Sequence, residues 1–367
     1  MKGTYYLPVT VSFHGEDFEK NLHWSKKSNY FYYPYVFVSP FVTGMKTTRE
    51  RDFPDAKYIT ADSGGYQIGV HQKDSKGVSA LDVLRWQEKI ADVAFTVDIP
   101  TFSYEQEIKQ NDFVRPNVYR HYSDEYFEKA MKKSVINANN MYEAQENEKM
   151  QLWAVCQGGN YDDLMTWYKA ITKEHRFDGY TFPMASTFSP RAKEDWLDQI
   201  RFAKEVGTNW HFLGRCEPLL VAIFAKLSQK TGKVYTYDTS SAAGGLTLGK
   251  YHDPHTMRSL SYAKNVEHVN FDLDGPNPCD CPVCSKHTVG EMINGYYLLY
   301  MHNVYVRQAY NNYINVLVQD DALFDNLINK LLETIGAYKK HKKRYKQLID
   351  NLVYDEPVKV ERIQSFF

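Results

Sequence analysis

The stretch "KYITADSGG" (residues 57–65) is a short apolar run that ends in an aspartate, a serine and two glycines. β-branched and aromatic residues bounded by such polar and glycine residues are typical of a buried strand. Glycine allows a tight turn and a close approach of the backbone to a ligand. The stretch therefore predicts a strand whose carboxyl end presents Asp62 at a turn.

Seven further runs share this character. They are "YVFVSP" (35–40), "VAFTVDIP" (93–100), "LWAVCQGG" (152–159), "GYTFPMAS" (179–186), "WHFLGRCEP" (210–218), "VYTYDTSS" (234–241) and "HVNFDLDG" (268–275). Helical patterns such as "PLLVAIFAKLSQKT" lie between several of them. Strands that alternate with helices predict a parallel sheet, and eight such units predict an α/β protein with a closed (β/α)8 TIM barrel. The periodicity leaves a doubly wound open sheet as the alternative.

The alternation of strand-like and helical segments stops after the eighth run, which predicts that the barrel ends there. We expect residues 1–275 to form the TIM-barrel catalytic domain. Residues 276–367 are expected to form a cysteine-bearing segment followed by C-terminal helices, at about 288–316 and 321–350, packed on the barrel.

Composition narrows the class of protein. The chain has 367 residues, 43% of them hydrophobic, and a formal net charge of -1, which predicts a soluble globular protein with a sizeable core. It contains no apolar run of membrane-spanning length and no secretory signal at its start, so a cytoplasmic location is expected. The bulk charge does not predict a nucleic-acid partner, but "KKHKKRYK" (339–346) holds six Lys or Arg residues in eight. That segment is either a solvated helix face or a patch that contacts phosphates.

Four side chains that end predicted strands are candidates for chemistry. Asp62, Asp98, Gln157 and Asp238 would meet at the carboxyl-end mouth of a barrel. One such aspartate is most simply a helix cap, but three together with a glutamine favour a shared site. Two carboxylates suit chemistry at a sugar carbon, where one attacks and the other transfers protons. A third carboxylate with an amide can bind a guanine edge, and Tyr66 could stack on the base.

The segment "PNPCDCPVC" places Cys279, Cys281 and Cys284 in a C-x-C-x-x-C spacing. Three clustered thiols in this spacing indicate one structural zinc ion per chain rather than a disulfide framework. A reactive thiol cluster is the alternative. The fourth ligand is either His302, on a predicted helix, or the nearby His287.

These motifs together resemble the tRNA-guanine transglycosylase superfamily. "TADSGGYQ", "VCQGGNYDDL", "FDGYTF", "HFLGRCEP" and "YDTSS" each resemble a family segment, and "CDCPVC" followed by "LLYMHNVYV" is similar to its zinc motif. The matching segments run in family order from about residue 57 to residue 310. The resemblance implies a zinc-bearing TIM barrel in which guanine in a nucleic acid is replaced by a 7-deazaguanine of the preQ0 or preQ1 type.

Roles follow from the resemblance position by position. It implies that Asp238 is the nucleophile that forms a covalent glycosyl intermediate, and that Asp62 is the general acid/base. The implied base-binding residues are Ser63, Tyr66, Asp98, Gln157, Gly158 and Gly214. The implied zinc ligands are Cys279, Cys281, Cys284 and His302.

The chain also departs from the family pattern. Pro183, Met184 and Ala185 replace a Gly-Gly-Leu wall of the base pocket, and "TSSAAGGLTLG" replaces the arginine-bearing segment after the nucleophile. An RNA-binding domain like that of archaeal members is not recognised. The departures resemble the DNA-acting branch found in bacteriophages and bacterial modification systems, so DNA in a bacterial or phage-infected cell is the favoured partner. A divergent tRNA-guanine transglycosylase and a non-catalytic, zinc-stabilised nucleic-acid-binding subunit are the alternatives, and the oligomeric state stays open.

Overall fold

Eight parallel strands form one sheet that curls into a nearly closed barrel. In this computed structural model the described residues are 3–8, 24–65, 77–101, 124–184, 195–214, 217–239, 241–242, 249–254, 257, 259–261, 273–334 and 336–354. The strands are β1 (Gly3–Pro8), β2 (Tyr35–Val38), β3 (Tyr58–Ala61), β4 (Val93–Phe95), β5 (Gln151–Val155), β6 (Gly179–Pro183), β7 (Trp210–Leu213) and β8 (Val234–Thr239). Their order in the sheet is β1-β8-β7-β6-β5-β4-β3-β2, and β1 lies beside β2. The predicted (β/α)8 barrel is confirmed.

Helices follow the strands and cover the outside of the barrel. They are α1 (Arg49–Asp52), α2 (Ala80–Ile90), α3 (Asp124–Ala144), α4 (Tyr161–Ile171), α5 (Asp195–Val206) and α6 (Pro218–Thr231). After β8 comes a short antiparallel hairpin of β9 (Lys250–His252) and β10 (Ser259–Ser261). Each helix of the outer layer begins at the end of the barrel where the strands finish, so the helix starts mark the mouth.

The barrel recruits one strand that the sequence did not suggest. β1 pairs in parallel with β8, from Gly3 opposite Val234 to Pro8 opposite Thr239. It fills the eighth place in the sheet, which the sequence analysis had assigned to the run at 268–275. Residues 268–272 of that run lie outside the described part of the chain, and Leu273 and Asp274 form a turn. The eighth strand of the described sheet is therefore β1, and the strand predicted at 268–275 falls largely outside the described residues.

The C-terminal helices are more numerous than predicted. The expected helix at 288–316 is two helices, α7 (Val289–Asn294) and α8 (Tyr296–Leu317), which meet at Gly295. The expected helix at 321–350 corresponds to α9 (Asp321–Thr334), α10 (Gly336–Lys339) and α11 (Lys342–Tyr354), and residue 335 lies outside the described residues. Glycine is a poor residue for a helix interior, which is consistent with the break at Gly295. The boundary proposed near residue 275 stays a prediction.

These helices pack directly on the barrel. α8 contacts β1, β9 and α6, α9 contacts α6, and α11 contacts both α5 and α6. Asn311 and Asn315 of α8 both donate side-chain hydrogen bonds to the Thr4 carbonyl (2.9 and 2.7 Å), which holds β1 in place. No helix in the described part of the chain has the length and apolarity needed to cross a membrane.

The inside of the barrel is a separate packed core. Its buried apolar residues are Leu7, Phe37, Val93, Phe95, Trp153 and Val155. His211 of β7 points into the same interior, where its ring stacks on Phe37 with centroids 5.2 Å apart and planes 5° from parallel. The interior is thus filled by side chains, as expected for an eight-stranded barrel, and one of them is a histidine.

Candidate active site and metal cluster

The four predicted catalytic and base-binding side chains lie at the mouth of the barrel. Asp62 directly follows β3, Asp98 and Gln157 lie just beyond β4 and β5, and Asp238 is the penultimate residue of β8. The charges of Asp98 and Asp238 both act on the Asp62 carboxyl group. The parallel strands therefore bring three carboxylates from distant parts of the sequence into one site.

Ser63, Asp98 and Gln157 form a buried hydrogen-bonded chain. The Ser63 hydroxyl donates to Oδ1 of Asp98 (2.8 Å), and Nε2 of Gln157 donates to Oδ2 (2.6 Å). Asp98 is only 4% exposed, and burial raises its pKa while the hydrogen bonds from Gln157 and Ser63 oppose that rise. Both oxygens of Asp98 are therefore engaged within the protein, and a bound base would share or replace these contacts.

The two glycines of "DSGG" are each required for a different structural reason. Gly64 has a φ of +71°, and a Cβ atom there would lie 2.5 Å from the Phe41 ring. At Gly65 a Cβ atom would lie 2.1 Å from Oδ1 of Asp98, and the Gly65 amide donates to the Ser63 hydroxyl (3.0 Å). Any side chain at residue 65 would occupy the space of the Asp98 carboxylate, so the turn needs glycine at this position.

Asp62 has a strongly perturbed acidity. The backbone amides of Ser63 and Gly64 donate to its carboxylate, which favours the charged form. Burial outweighs these bonds and, together with the charges of Asp98 and Asp238, raises the pKa of Asp62 to about 7. A carboxyl group with this pKa can both donate and accept a proton near neutral pH, as general acid/base catalysis requires.

Asp238 is held through one oxygen. Its Oδ1 accepts hydrogen bonds from the Gly214 amide (2.7 Å) and from Nε2 of His211 (3.2 Å). Within the described ranges, its other oxygen, Oδ2, has no hydrogen-bond partner. This arrangement fixes the carboxylate plane and leaves one oxygen available for attack.

His211 is a site residue that the sequence analysis missed. It is fully buried, and its Nδ1 lies 2.9 Å from the Thr236 hydroxyl. Burial lowers the pKa of His211, although the neighbouring Asp238 opposes this, so the ring is neutral at physiological pH. A neutral ring has one N–H group, and a carboxylate can only accept, so we assign that proton to Nε2 and the Thr236 hydroxyl as donor to Nδ1. The available signal was a histidine at the inward position of an otherwise apolar strand, "WHFL".

A second missed residue supports the loop that is predicted to bind the base. Gln199 of α5 is fully buried, and its Nε2 donates to the carbonyl groups of Gly158 and Pro183 (both 3.1 Å). The loop after Gln157 is thereby tied to the strand that carries the altered pocket wall. Met184 of that wall is fully buried in the core, and Ala185 lies outside the described residues.

Gly214 and Tyr66 were both predicted to bind the base, but only Gly214 is among the described residues. Gly214 is an exposed backbone donor to Asp238, which places it beside the site. Tyr66 belongs to residues 66–76, which are outside the described part of the chain. Its stacking on a base therefore stays a prediction.

The three predicted cysteine ligands and His302 form a buried cluster. One ligand atom from each of Cys279, Cys281, Cys284 and His302 lies within 4.8 Å of all the others. Zinc–sulfur bonds of about 2.3 Å in a tetrahedron separate the ligand atoms by about 3.8 Å, so the four atoms fit one zinc ion with little adjustment. The set is closed and lacks an open position, which is typical of a structural site.

The surroundings of His302 select it over His287. Nε2 of His302 lies 2.9 Å from the His252 carbonyl, which fixes the proton on that nitrogen and directs Nδ1 toward the thiols. Nδ1 is 3.3 and 3.2 Å from the sulfur atoms of Cys281 and Cys284. His287 is engaged elsewhere, because its Nε2 lies 2.7 Å from the Tyr30 hydroxyl and its Nδ1 lies 3.3 Å from Glu291.

Helix α8 connects the cluster to β8, the strand that carries the predicted nucleophile. Asn303, next to His302, accepts from the His252 amide and donates to the carbonyl groups of Ala242 and Lys250. Two turns further on, Asn311 accepts from the Tyr237 hydroxyl (2.8 Å), and Tyr237 directly precedes Asp238. The metal cluster thus anchors a helix that holds the segments on both sides of the candidate nucleophile.

Comparison with known proteins finds distant relatives of this chain. No protein-family model matches the chain. It is similar to the tRNA-guanine(15) transglycosylase of Thermococcus onnurineus, with 24% identity over 322 residues that cover 84% of this chain and 48% of the relative. The enzymes of the same name from Sulfolobus acidocaldarius and Methanocaldococcus jannaschii are 23% identical over 319 and 301 residues. These stretches cover 83% and 78% of this chain, and 57% and 41% of the two relatives.

The chain therefore spans about half the length of the curated relatives it matches. The similarity is distant, at 23–24% identity. It supports a relationship between this chain and the tRNA-guanine transglycosylase superfamily.

Proposed function

We propose that this chain is a pentosyltransferase that exchanges guanine in a nucleic acid for a 7-deazaguanine base. The observation that carries the proposal is the pairing of Asp62, whose pKa is raised to about 7, with Asp238, whose Oδ2 is directed by two donors on Oδ1. Base exchange needs one carboxylate that attacks a sugar carbon and a second that transfers protons to and from the base.

The reaction we propose has two displacement steps. Oδ2 of Asp238 attacks C1′ of the guanosine, the bond from C1′ to N9 breaks, and its electron pair goes to guanine as the Asp62 carboxyl group donates a proton to the departing base. The Asp62 carboxylate then removes the N9 proton of the incoming 7-deazaguanine, whose N9 attacks C1′ and releases Asp238. Protons and bonds balance over the cycle, and no external oxidant or reductant is required.

Asp98 and Gln157 are proposed to recognise the base. A carboxylate accepts from the N1–H and exocyclic amine of guanine, and an amide N–H donates to O6. In the free protein these two side chains bond to each other at 2.6 Å, so the site is ordered before the base arrives. The Gly158 backbone and Ser63 complete the proposed contacts. The target base must leave its stack to reach them.

The Cys279, Cys281, Cys284 and His302 cluster is proposed to bind one structural zinc ion. The donor set suits zinc, and a closed site of this kind stabilises the fold. The residues of this chain, rather than the metal, carry out the proposed chemistry.

DNA is the polymer we propose. The support is the replacement of the arginine-bearing segment after the nucleophile by "TSSAAGGLTLG" and the altered wall at Pro183 and Met184. The relatives are tRNA-guanine(15) transglycosylases, which makes tRNA the second candidate. We place the activity in the cytoplasm of a bacterium or a phage-infected cell.

Incubation of the protein with radiolabelled preQ0 or preQ1 and either DNA or tRNA tests the function and the polymer together. We expect label in DNA, loss of label on Asp238→Asn and Asp62→Asn, and a denaturant-resistant protein–DNA adduct that Asp238→Asn abolishes. Asp162→Asn is the matched control, because Asp162 is an exposed carboxylate at the start of α4 and outside the site.

Each contrary outcome is informative. Label in tRNA alone would refute DNA as the polymer while retaining the exchange chemistry. Normal exchange by Asp238→Asn would refute the nucleophile. Tight nucleic-acid binding without exchange on either polymer would favour the non-catalytic alternative.

A further inference from the structure

We propose that residues 339–344, which we name the mouth-side basic segment, bind the phosphate backbone of the DNA strand that delivers the exchanged guanosine. This inference rests on the proposed function, because it assigns a contact surface to the same substrate. It is based on the position of this basic segment, which has no role in the proposed catalytic site.

The orientation of α11 places this segment at the mouth of the barrel. Tyr338, just before the segment, packs edge-on against Trp196 with ring centroids 6.2 Å apart, and Trp196 lies in the first turn of α5. At the other end, Lys204 near the end of α5 donates to the Leu352 carbonyl (2.6 Å). α11 therefore runs alongside α5 in the same direction, so its basic start lies at the mouth and its end lies at the bottom.

A short path of contacts joins the segment to the base-binding loop. Gln199 lies one turn beyond Trp196 in α5 and donates to the carbonyl of Gly158, the residue after Gln157. The segment is therefore linked to the loop proposed to hold the guanine through the Trp196 ring and one turn of α5. Phosphates flanking a base in that loop would come within reach of flexible lysine side chains.

The positive charge is concentrated at the mouth end. Lys339, Lys340 and Lys343 are exposed. Farther along α11, Lys346 is paired with Asp325 (3.1 Å) and Asp350 (2.5 Å), so the charge there is neutralised. Lys342 is also paired, with Glu333. The three exposed lysines have no salt-bridge partner among the described residues and are the ones we assign to phosphate contact.

Acidic residues near the segment are already paired. Glu333 forms a salt bridge with Lys342, and it also interacts electrostatically with Lys339. Asp325 and Asp350 line the same cavity as Lys343, and both are paired with Lys346. Lysines that neutralise DNA phosphates release condensed counterions, so their contribution to binding depends steeply on salt. A charge-dependent contact therefore has a measurable signature that a merely solvated helix face lacks.

The test compares two triple variants of equal charge change. Lys339→Ala/Lys340→Ala/Lys343→Ala removes the proposed contacts. Its control, Lys57→Ala/Lys149→Ala/Lys233→Ala, removes three exposed lysines that lie just before β3, β5 and β8, at the bottom of the barrel. Binding of a fluorescent DNA hairpin is measured by anisotropy from about 50 to 200 mM salt, with a labelled tRNA as the second probe.

About 0.9 counterions are released per phosphate contact on duplex DNA, so three lost contacts reduce the slope of log affinity against log salt by about 2.7. Over a fourfold rise in salt the wild-type protein would then lose about 40-fold more affinity than the mouth-side variant. The control should keep the wild-type slope. Equal slopes for the two variants would overturn the proposal, and a slope change on tRNA alone would overturn its assignment to DNA.

This test is separable from that of the proposed function. Binding needs no catalysis, so a slope change without base exchange on either polymer would refute the function and retain the surface. Base exchange with equal slopes for both variants would refute the surface and retain the function.

Discussion

The turn at Gly65 offers a direct test of how the catalytic mouth is built. A Cβ atom at residue 65 would lie 2.1 Å from Oδ1, 2.8 Å from Cγ and 2.9 Å from the backbone carbonyl of Asp98. Ordinary contact begins at 3.4 Å, so Gly65→Ala requires a displacement of 3.4 − 2.1 = 1.3 Å at Oδ1. Rotation of the carboxylate cannot relieve this alone, because Ser63 and Gln157 hold both oxygens and the carbonyl also lies too close.

The expected cost follows from this displacement. Overpacking of a buried site costs about 1–3 kcal/mol in the free energy of unfolding. A misplacement of about 1 Å in a catalytic constellation lowers the rate about 100-fold. We therefore expect Gly65→Ala to be destabilised by about 1–3 kcal/mol in urea denaturation and to exchange base about 100-fold more slowly in the labelling assay.

Two further variants isolate the cause. Gly232 follows the C-terminal end of α6, has a φ of +67°, and has no atom within 4 Å of an added Cβ. Gly232→Ala should therefore lower the free energy of unfolding by about 1 kcal/mol through backbone strain alone. Its base-exchange activity should stay at the wild-type level. In an Asp98→Ala background the penalty of Gly65→Ala should shrink by about 0.5–3 kcal/mol, because the clashing carboxylate is gone. Full exchange activity in Gly65→Ala, or an unchanged penalty in the Asp98→Ala background, would refute the reasoning.

The acidity of Asp62 predicts a stability change with pH: its folded-state pKa of about 7 is above the ordinary value of 3.8, so wild-type stability falls as pH rises between these values. Asp62→Asn has no titrating carboxyl group here and so does not lose stability in this way. The melting temperature of the variant minus that of the wild type should therefore be larger at about pH 8 than at about pH 4. The same difference at both pH values would contradict the assigned pKa. His211→Phe keeps the ring stack but leaves Oδ1 of Asp238 without one donor; a lost hydrogen bond of about 1.4 kcal/mol should slow exchange about tenfold, and an unchanged rate would show that the bond has no positioning role. The wild-type protein should contain about one zinc ion per chain by elemental analysis. Cys281→Ser should lose this zinc and have a lower melting temperature, while His287→Ala should retain it. The opposite pattern would exclude His302 as the fourth ligand.

Much of the architecture was predictable because it depends on local patterns. Seven of the apolar runs contain the strands β2 to β8, and their polar ends carry the side chains found at the mouth. β1 was not predictable in the same way. Its sequence "GTYYLP" is brief, and its place in the sheet depends on pairing with β8, more than 220 residues later, and on the amide groups of Asn311 and Asn315.

The helical ends of the chain were predicted as regions but not as elements. Helical periodicity continues through Gly295 and through residues 340–341, whereas the structure divides the helices at both places. The reason is that a hydrophobic pattern reports which face is buried, while the end of a helix depends on its local capping and on the tertiary packing of its neighbours.

The site shows the same division. The sequence by itself determined which side chains are available at the strand ends and that three cysteines share a metal-binding spacing. Only the tertiary structure decided that His302 rather than His287 joins them, because the choice depends on α8 bringing Nδ1 to the thiols. Tertiary structure also decided the roles of His211 and Gln199, because Asp238 lies 27 residues from His211 and Gly158 lies 41 residues from Gln199. Spacing along the chain specifies which groups exist, and the closed barrel specifies which of them meet.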